Sequence, residues 1–295
     1  MKKNIINLKL FVRKGLDLIK NKSEIIMNEV YKLPFLEKPL PRKNIVHKIN
    51  LINKEKYLLL HKKAINTKNP KVDEFEKEIG FLIDKEWFND ITLITQTSIK
   101  NSKLNFNHGR ILYSLVSKYI EHQLEVGENK ITILETGTAR GFSSLCMSKA
   151  INDRKFMGKI ITIDCISHNE KMFWGCVSDF DGEKTREELL SKWHKELSNI
   201  VFIHGWTTET LKKIGLNRIN FAFLDAQHTK SAVLQEFKFI HKRQIKGDMI
   251  FFDDVTPNLF DGVCNAVKEI EIEYPYKIKY LPFDRNRGYA IATKI

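Results

Sequence analysis

The stretch ILETGTARGFSSLCMSKAI, Ile133 to Ile151, decides the fold. An apolar strand ends near Glu135, a loop with Gly137 and Gly141 follows, and a helix starts near Phe142. Glycine lets the backbone come close to a ligand, and a helix N-terminus offers unpaired N–H groups, so the turn reads as a ligand-binding one. Its spacing is GxxxG, which does not meet the dinucleotide fingerprint GxGxxG. No GK[ST] follows to make a phosphate loop.

Outward from this turn, β-like and helical segments alternate. Strands are predicted at Ile131–Thr136, Lys159–Asp164, Ile200–His204, Asn220–Asp225 and Met249–Asp253, with helices between them. That alternation means a parallel sheet with helical crossovers. A helix near Val263–Glu273 and the segments YKIKYLPF and GYAIATKI then predict a closing antiparallel hairpin. Upstream, HGRILYSLVSKYIEHQ reads as an amphipathic helix, and His47–Asn89 as further short helices. Residues 1–32 carry apolar positions at helical spacing (Ile5, Leu8, Val12, Leu16, Ile19) among lysines, a basic amphipathic helix, and Pro34, Pro39 and Pro41 end it. The division expected is a basic, mainly helical extension over 1–100 and an α/β domain over 101–295.

The chain has 295 residues and a net charge of +13. Residues 1–63 hold 16 basic and 5 acidic side chains, so the remainder is close to neutral and its substrate need not be a polyanion. No apolar run approaches the roughly 20 residues of a membrane span. Lys9 and Arg13 interrupt the start in a way a secretory signal would not. The four cysteines, Cys146, Cys165, Cys176 and Cys264, form no CxxC pair, which fits reduced thiols. A cytoplasmic location is expected, with peripheral contact at the inner membrane surface as a role for the basic helix. Packing on the domain or in a homo-oligomer is the alternative for that helix.

Three further segments supply acids to the same edge of the sheet. The strand KIITID ends in Asp164, where Rossmann-like sheets place an acid for ribose hydroxyls. FAFLDAQHTKSAVLQEF and KGDMIFFDDVTP bring Asp225, Asp253 and Asp254 to neighbouring strand ends. Three carboxylates together repel unless something neutralises them, and a hard cation such as Mg²⁺ with oxygen ligands is the natural remedy.

Together these segments resemble class I, Rossmann-like S-adenosylmethionine (SAM) methyltransferases. The resemblance covers about Asn105 to Ile295 and is closest to the metal-dependent small-molecule and sugar O-methyltransferases, the catechol and macrocin types. It implies a seven-stranded, mostly parallel sheet with a C-terminal hairpin. It implies that SAM lies on Glu135, Gly137, Thr138, Gly141, Ser143, Asp164 and Asp225, with Trp206 or Thr207 of HGWTTETL beside the adenine. Asp225, Asp253 and Asp254 match the family's metal residues, Asp254 replacing an Asn. Where the catechol type has a Lys as base, this chain has His228. An imidazole can accept a hydroxyl proton near neutral pH, and Asp-x-x-His occurs in the sugar-type relatives. The bland alternative is that His228 caps the next helix or orients Asp225. The long connection from Cys165 to Asn199, with His168, Trp174, Asp179 and Trp193, is the expected wall for a small-molecule or saccharide acceptor. The basic arm leaves RNA methylation, or a non-catalytic scaffold, as rival readings. The near-neutral domain counts against nucleic acid, and the intact glycine loop and acid cluster against a scaffold.

Overall fold

Phe221 and Phe223 alternate with Ala222 and Leu224, and all four are buried. A strand buried on both faces belongs in the middle of a sheet covered by helices on each side. Burying a phenylalanine stabilises by roughly 1.5–3 kcal/mol, more than any local preference of the chain, so such strands fix the architecture. The computed structural model describes residues 54–100, 104–284 and 287–295. The predicted basic helix over 1–32 and its proline-rich end lie outside them.

Three helices come first, α1 (Lys54–Ile65), α2 (Pro70–Ile79) and α3 (Lys85–Thr95). The long α4 (Asn107–Glu125) leads into β1 (Lys130–Thr136), α5 (Phe142–Asp153) and β2 (Met157–Asp164). Short helical turns over 177–197 precede β3 (Ile200–His204), and another at Thr207–Thr210 precedes β4 (Phe221–Leu224). Then come α6 (Lys230–His241), β5 (Met249–Phe252), α7 (Asp261–Glu273), β6 (Tyr276–Asp284) and β7 (Arg287–Lys294).

The sheet order is β3-β2-β1-β4-β5-β7-β6. The first five strands run parallel, and β7 lies antiparallel between β5 and β6. The order reverses at β1, which has β2 on one side and β4 on the other. Ligands of open α/β sheets bind at such a reversal, beyond the carboxyl ends of the strands. This is the Rossmann-like architecture expected from the sequence, down to the closing hairpin. The central strands agree to within a residue or two; Asp225 and Asp253 stand just past the ends of β4 and β5.

One face of the sheet packs Ile133, Phe221, Phe223 and Phe251 under α4 and α5; the other packs Leu134, Ala222, Leu224 and Phe252 under α6 and α7. Val72, Phe75, Phe88 and Ile91 of α2 and α3 join the first of these cores. The described helices before residue 100 are therefore packed with the α/β domain, and all described residues fall within one compact unit. At Gly109, a Cβ would lie 2.4 Å from the Phe142 ring, so glycine lets α4 close on the start of α5. No helix among the described residues is long and apolar enough to cross a membrane. None of the four cysteines, all among the described residues, is in a disulfide.

Candidate active site

After β1 the chain turns at Gly137 (φ +90°), passes Ala139 (φ 45°) and enters α5 through Gly141 (φ +85°). A Cβ at Gly137 would lie 2.2 Å from the carbonyl oxygen of Asp225, so this position admits only glycine. The Gly137 N–H donates to the Ile163 carbonyl at 2.9 Å, which ties the turn to β2. Beneath the loop, Glu135 is fully buried and accepts from the hydroxyls of Ser143 and Ser144. Burial raises its pKa, and the two serine hydrogen bonds oppose that rise by stabilising the anion. Thr138 and Thr162 share a hydroxyl hydrogen bond of 2.5 Å. The side chains of Glu135, Thr138 and Ser143 thus face the protein interior; they hold the loop in shape, and what they offer a ligand is its backbone.

Asp164 is the clamp on the other side. Its Oδ2 accepts the N–H of Ala139 at 2.6 Å and its Oδ1 the N–H of Ile166 at 2.7 Å. Arg186 completes the clamp: Nε donates to the Ala139 carbonyl at 2.9 Å and Nη2 to the Ile166 carbonyl at 3.1 Å. Its guanidinium, almost wholly buried, packs near the rings of Trp174 and Phe202. Trp206, partly exposed, stands just after β3, before the turn Thr207–Thr210. The Thr207 hydroxyl and that of Thr136 both donate to the buried Glu236, whose pKa burial pushes up to about 7.

The acids gather at the tips of β4 and β5. His228 Nε2 lies 3.0 Å from Asp254 Oδ2 and 3.9 Å from Asp225 Oδ1. Facing atoms of Asp225, His228 and Asp254 lie within 4.8 Å of one another. Asp253 is arranged differently: its Oδ1 accepts the N–H of Asp254 at 2.6 Å. The group the structure draws together is therefore two aspartates and the histidine, with Asp253 behind them. Arg287 donates to Asp254 at 2.5 Å and lies 3.7 Å from Asp253. Asp254 holds a left-handed backbone (φ 55°), unusual for a residue other than glycine. His228 stacks against Phe260 at 4.7 Å, and a Cβ at Gly262 would meet the His228 carbonyl at 2.2 Å, so the start of α7 sits tight beneath it.

The electrostatics register the crowding. Burial and then Asp253 and Asp254 raise the Asp225 pKa well above the usual carboxylate range, with Arg287 opposing. Asp253 is pushed up to about 7 by burial and by Asp254. Like charges this close cannot all stay ionised without a counter-charge.

Four further groups at this edge escaped the sequence reading. Arg287 comes from the hairpin. Lys100 precedes α4, and its pKa is lowered by burial and by Arg287 and Arg140. His108 stacks on Phe223 at 6.2 Å and meets Phe142 edge-on at 4.9 Å; burial, helped by Arg287, drives its pKa down to about 3 and keeps it neutral. Glu236 is the fourth. His108 and Glu236 stand in HGRILYSLVSKYIEHQ and FAFLDAQHTKSAVLQEF, but nothing in their spacing singles them out, and only the folded sheet edge collects the four. In the connection from Cys165 to Asn199, expected as a wall for the acceptor, the two tryptophans pack inward. Trp174 and Trp193 are buried, and Asp179 accepts the N–H groups of Trp174, Gly175 and Cys176. His168 stacks on Phe202 at 4.1 Å. The indole rings serve as packing because a long connection needs an apolar anchor of its own.

Residues 134–255 match a family model described as a methyltransferase domain. A comparison with curated proteins matches none. Among solved structures, the O-methyltransferase NovP is similar at 12% identity and a TM-score of 0.50, over 71% of this chain and 98% of that one. The O-methyltransferase from Bacillus cereus in complex with SAH is similar at 15% identity and a TM-score of 0.47, over 78% of this chain and 93% of that one. TomG from Streptomyces achromogenes, an O-methyltransferase involved in tomaymycin synthesis and solved with SAM, is similar at 16% identity and a TM-score of 0.48, over 72% and 92%. At these identities the likeness is one of fold.

Proposed function

We propose that this chain, of Rossmann-like fold and with residues 134–255 matching a methyltransferase domain, transfers the methyl group of SAM to a hydroxyl of a small molecule or a sugar, assisted by a divalent cation. One observation carries the reading. A glycine turn that excludes any side chain at residue 137 lies in backbone contact with Asp225, so the donor loop and the acid cluster adjoin at one sheet edge.

The residues present suit both groups. For SAM there is a glycine-lined approach at Gly137 and Gly141, the free N–H groups at the start of α5, and Asp164 at the tip of β2. For a cation there are two carboxylates and an imidazole whose donor atoms already lie within 4.8 Å of one another. Oxygen donors suit Mg²⁺, and one nitrogen keeps Mn²⁺ and other divalent metals in play. SAM supplies an electrophilic methyl on a sulfonium. A divalent cation supplies a counter-charge for the aspartates and acidifies a hydroxyl near it.

The protein's own part is to align the acceptor oxygen with the donor and to take its proton. His228 is the group for that proton. A second reading of His228 is favoured by its position inside the acid pair: Nε2, 3.0 Å from Asp254, is placed as a metal ligand. The two readings separate in a His228→Ala variant assayed with labelled SAM. Loss of turnover with unchanged metal affinity identifies the base; weakened metal affinity identifies the ligand. A screen of nucleotide sugars, glycans and catechols with Mg²⁺ and with EDTA tests the reaction class. Failure of the wild-type chain to bind SAM in a calorimeter would overturn the whole reading.

A further inference from the structure

We propose that Arg186 is a positioning residue for the methyl donor: it locks the glycine loop so that Asp164 can serve the loop and a ribose diol at once. This deepens the methyl-transfer reading of the same site and rests on it. It also gives the connection from Cys165 to Asn199 a task on the donor side.

Arg186 is placed by the chain around it. In TREE, Thr185 to Glu188, the Thr185 hydroxyl accepts the N–H of Glu188 at 3.0 Å and the Glu188 carboxylate accepts that of Thr185 at 2.8 Å, a capping box that starts the short turn Arg186–Leu190. The Arg186 N–H then donates to the His168 carbonyl at 3.0 Å. Trp174, whose indole N–H donates to the Lys184 carbonyl at 2.8 Å, has its ring 5.4 Å from the guanidinium, and the ring of Phe202 on β3 lies 5.7 Å from it. A guanidinium is weakly hydrated and stacks on rings, so it tolerates this burial better than an ammonium would.

The side chain acts on two residues, Ala139 and Ile166, each held at both ends of its backbone. Asp164 accepts their N–H groups at 2.6 and 2.7 Å, and Arg186 donates to their carbonyls at 2.9 and 3.1 Å. Ala139 needs that hold, since its φ of 45° is a left-handed backbone that a residue with a Cβ resists. A carboxylate offers about four lone-pair sites, and Asp164 uses one on each oxygen for these N–H groups, which leaves one on each for the two hydroxyls of a ribose. Without Arg186 the loop would hang on Asp164 alone, and the ribose would compete with it for the same oxygens. With Arg186 the two demands are compatible.

The test is calorimetry on the full chain with SAH and with an SAH analogue lacking both ribose hydroxyls. The proteins are the wild type, Arg186→Lys, Arg186→Met, Asp164→Asn and the double variant Arg186→Met with Asp164→Asn, each melted to show that it is folded. Arg186→Met should weaken SAH at least about tenfold, with Arg186→Lys between it and the wild type, because an ammonium keeps the charge without the fork that reaches both carbonyls. The analogue should lose less than SAH does, and the double variant less than the product of the two single losses, because both residues act on one loop. Arg186 is buried and Arg186→Met can fail to fold, in which case Arg186→Lys, alone and with Asp164→Asn, carries the same comparisons. SAH affinity unchanged in Arg186→Lys, equal losses for SAH and the analogue, or losses that multiply in the double variant would each overturn the proposal and leave Arg186 a packing residue, with the methyl-donor reading standing. If the wild type itself fails to bind SAH, that reading falls instead.

Discussion

The two halves of the site are built on opposite terms. On the donor side three charged groups have fixed internal partners: Glu135 has two serine hydroxyls, Asp164 two backbone N–H groups, Arg186 two carbonyls. On the acid side the charges crowd, two aspartates have raised pKa values, and Asp254 holds a left-handed backbone. These bonds preorganise the donor half, which is what an electrostatically fixed binding loop requires. The acid half holds like charges that Arg287 offsets only in part. The halves adjoin where Gly137 meets the Asp225 carbonyl and the Asp225 N–H donates to the Thr136 carbonyl at 2.9 Å.

Breaking that point should have the largest effect. Gly137→Ala places a methyl 2.2 Å from a backbone oxygen at a φ of +90°, and neither can move without distorting β1 or β4. The expected loss is roughly 3 kcal/mol of stability or more, with SAM binding abolished. Thermal melting and calorimetry measure both, and wild-type affinity in this variant would mean that the halves are not coupled here.

Next in size is the response of the acid half to metal. Asp225→Asn removes one of the like charges and one metal donor together. Without metal the variant should melt a few degrees higher than the wild type, while Mg²⁺ or Mn²⁺ should raise the wild-type melting temperature and leave the variant's unmoved. A lower melting temperature for the metal-free variant would show that the repulsion is not a real cost.

How much of this contrast could be read from the sequence follows the same line. The donor half lies along one continuous stretch, Ile133 to Ile151, whose strand, glycines and helix announce themselves by spacing, and Asp164 follows one strand later. Asp225, Asp253, Asp254 and His228 were legible because strand ends are legible. Their arrangement was not: that His228 sits between two aspartates while Asp253 turns to its neighbour's N–H is a matter of side-chain direction, which no periodicity carries. Lys100, His108, Arg186 and Arg287 come from four separate segments, and only the fold gives them a place near this edge. Trp174 and Trp193 misled for a related reason, since an aromatic in a long connection has the same composition whether it faces a ligand or the core.

The pH dependence of stability divides between the halves. Asp253 and Glu236, both with pKa values near 7 in the folded state against ordinary values of 3.8 and 4.5, bind more protons folded than unfolded between those limits. The contribution of these two groups to the stability of the metal-free protein is therefore fully present in acid, below the ordinary values, and is lost as pH rises toward 7 and just beyond. Mg²⁺ should remove the share due to Asp253, and Glu236→Gln the share due to the group held by Thr136 and Thr207. Melting curves from pH 4 to 8 that keep one slope in all four combinations would show that the shifts do not reach stability.

The smallest expected effect probes whether the donor half is as complete as its hydrogen bonds imply. Ser143→Ala leaves one carboxylate oxygen of Glu135 without its donor in a fully buried place, while Ser144 still serves the other. The carboxylate can answer by taking up a proton, because burial already raises its pKa and the lost hydrogen bond was among the effects holding it down. The cost should thus be that of one hydrogen bond, about 1 kcal/mol, with SAM affinity reduced less than tenfold and the metal response unchanged. A larger loss, or a change in metal affinity, would mean that Glu135 acts on the ligand through its charge, and the line drawn between a finished half and an unfinished one would have to move.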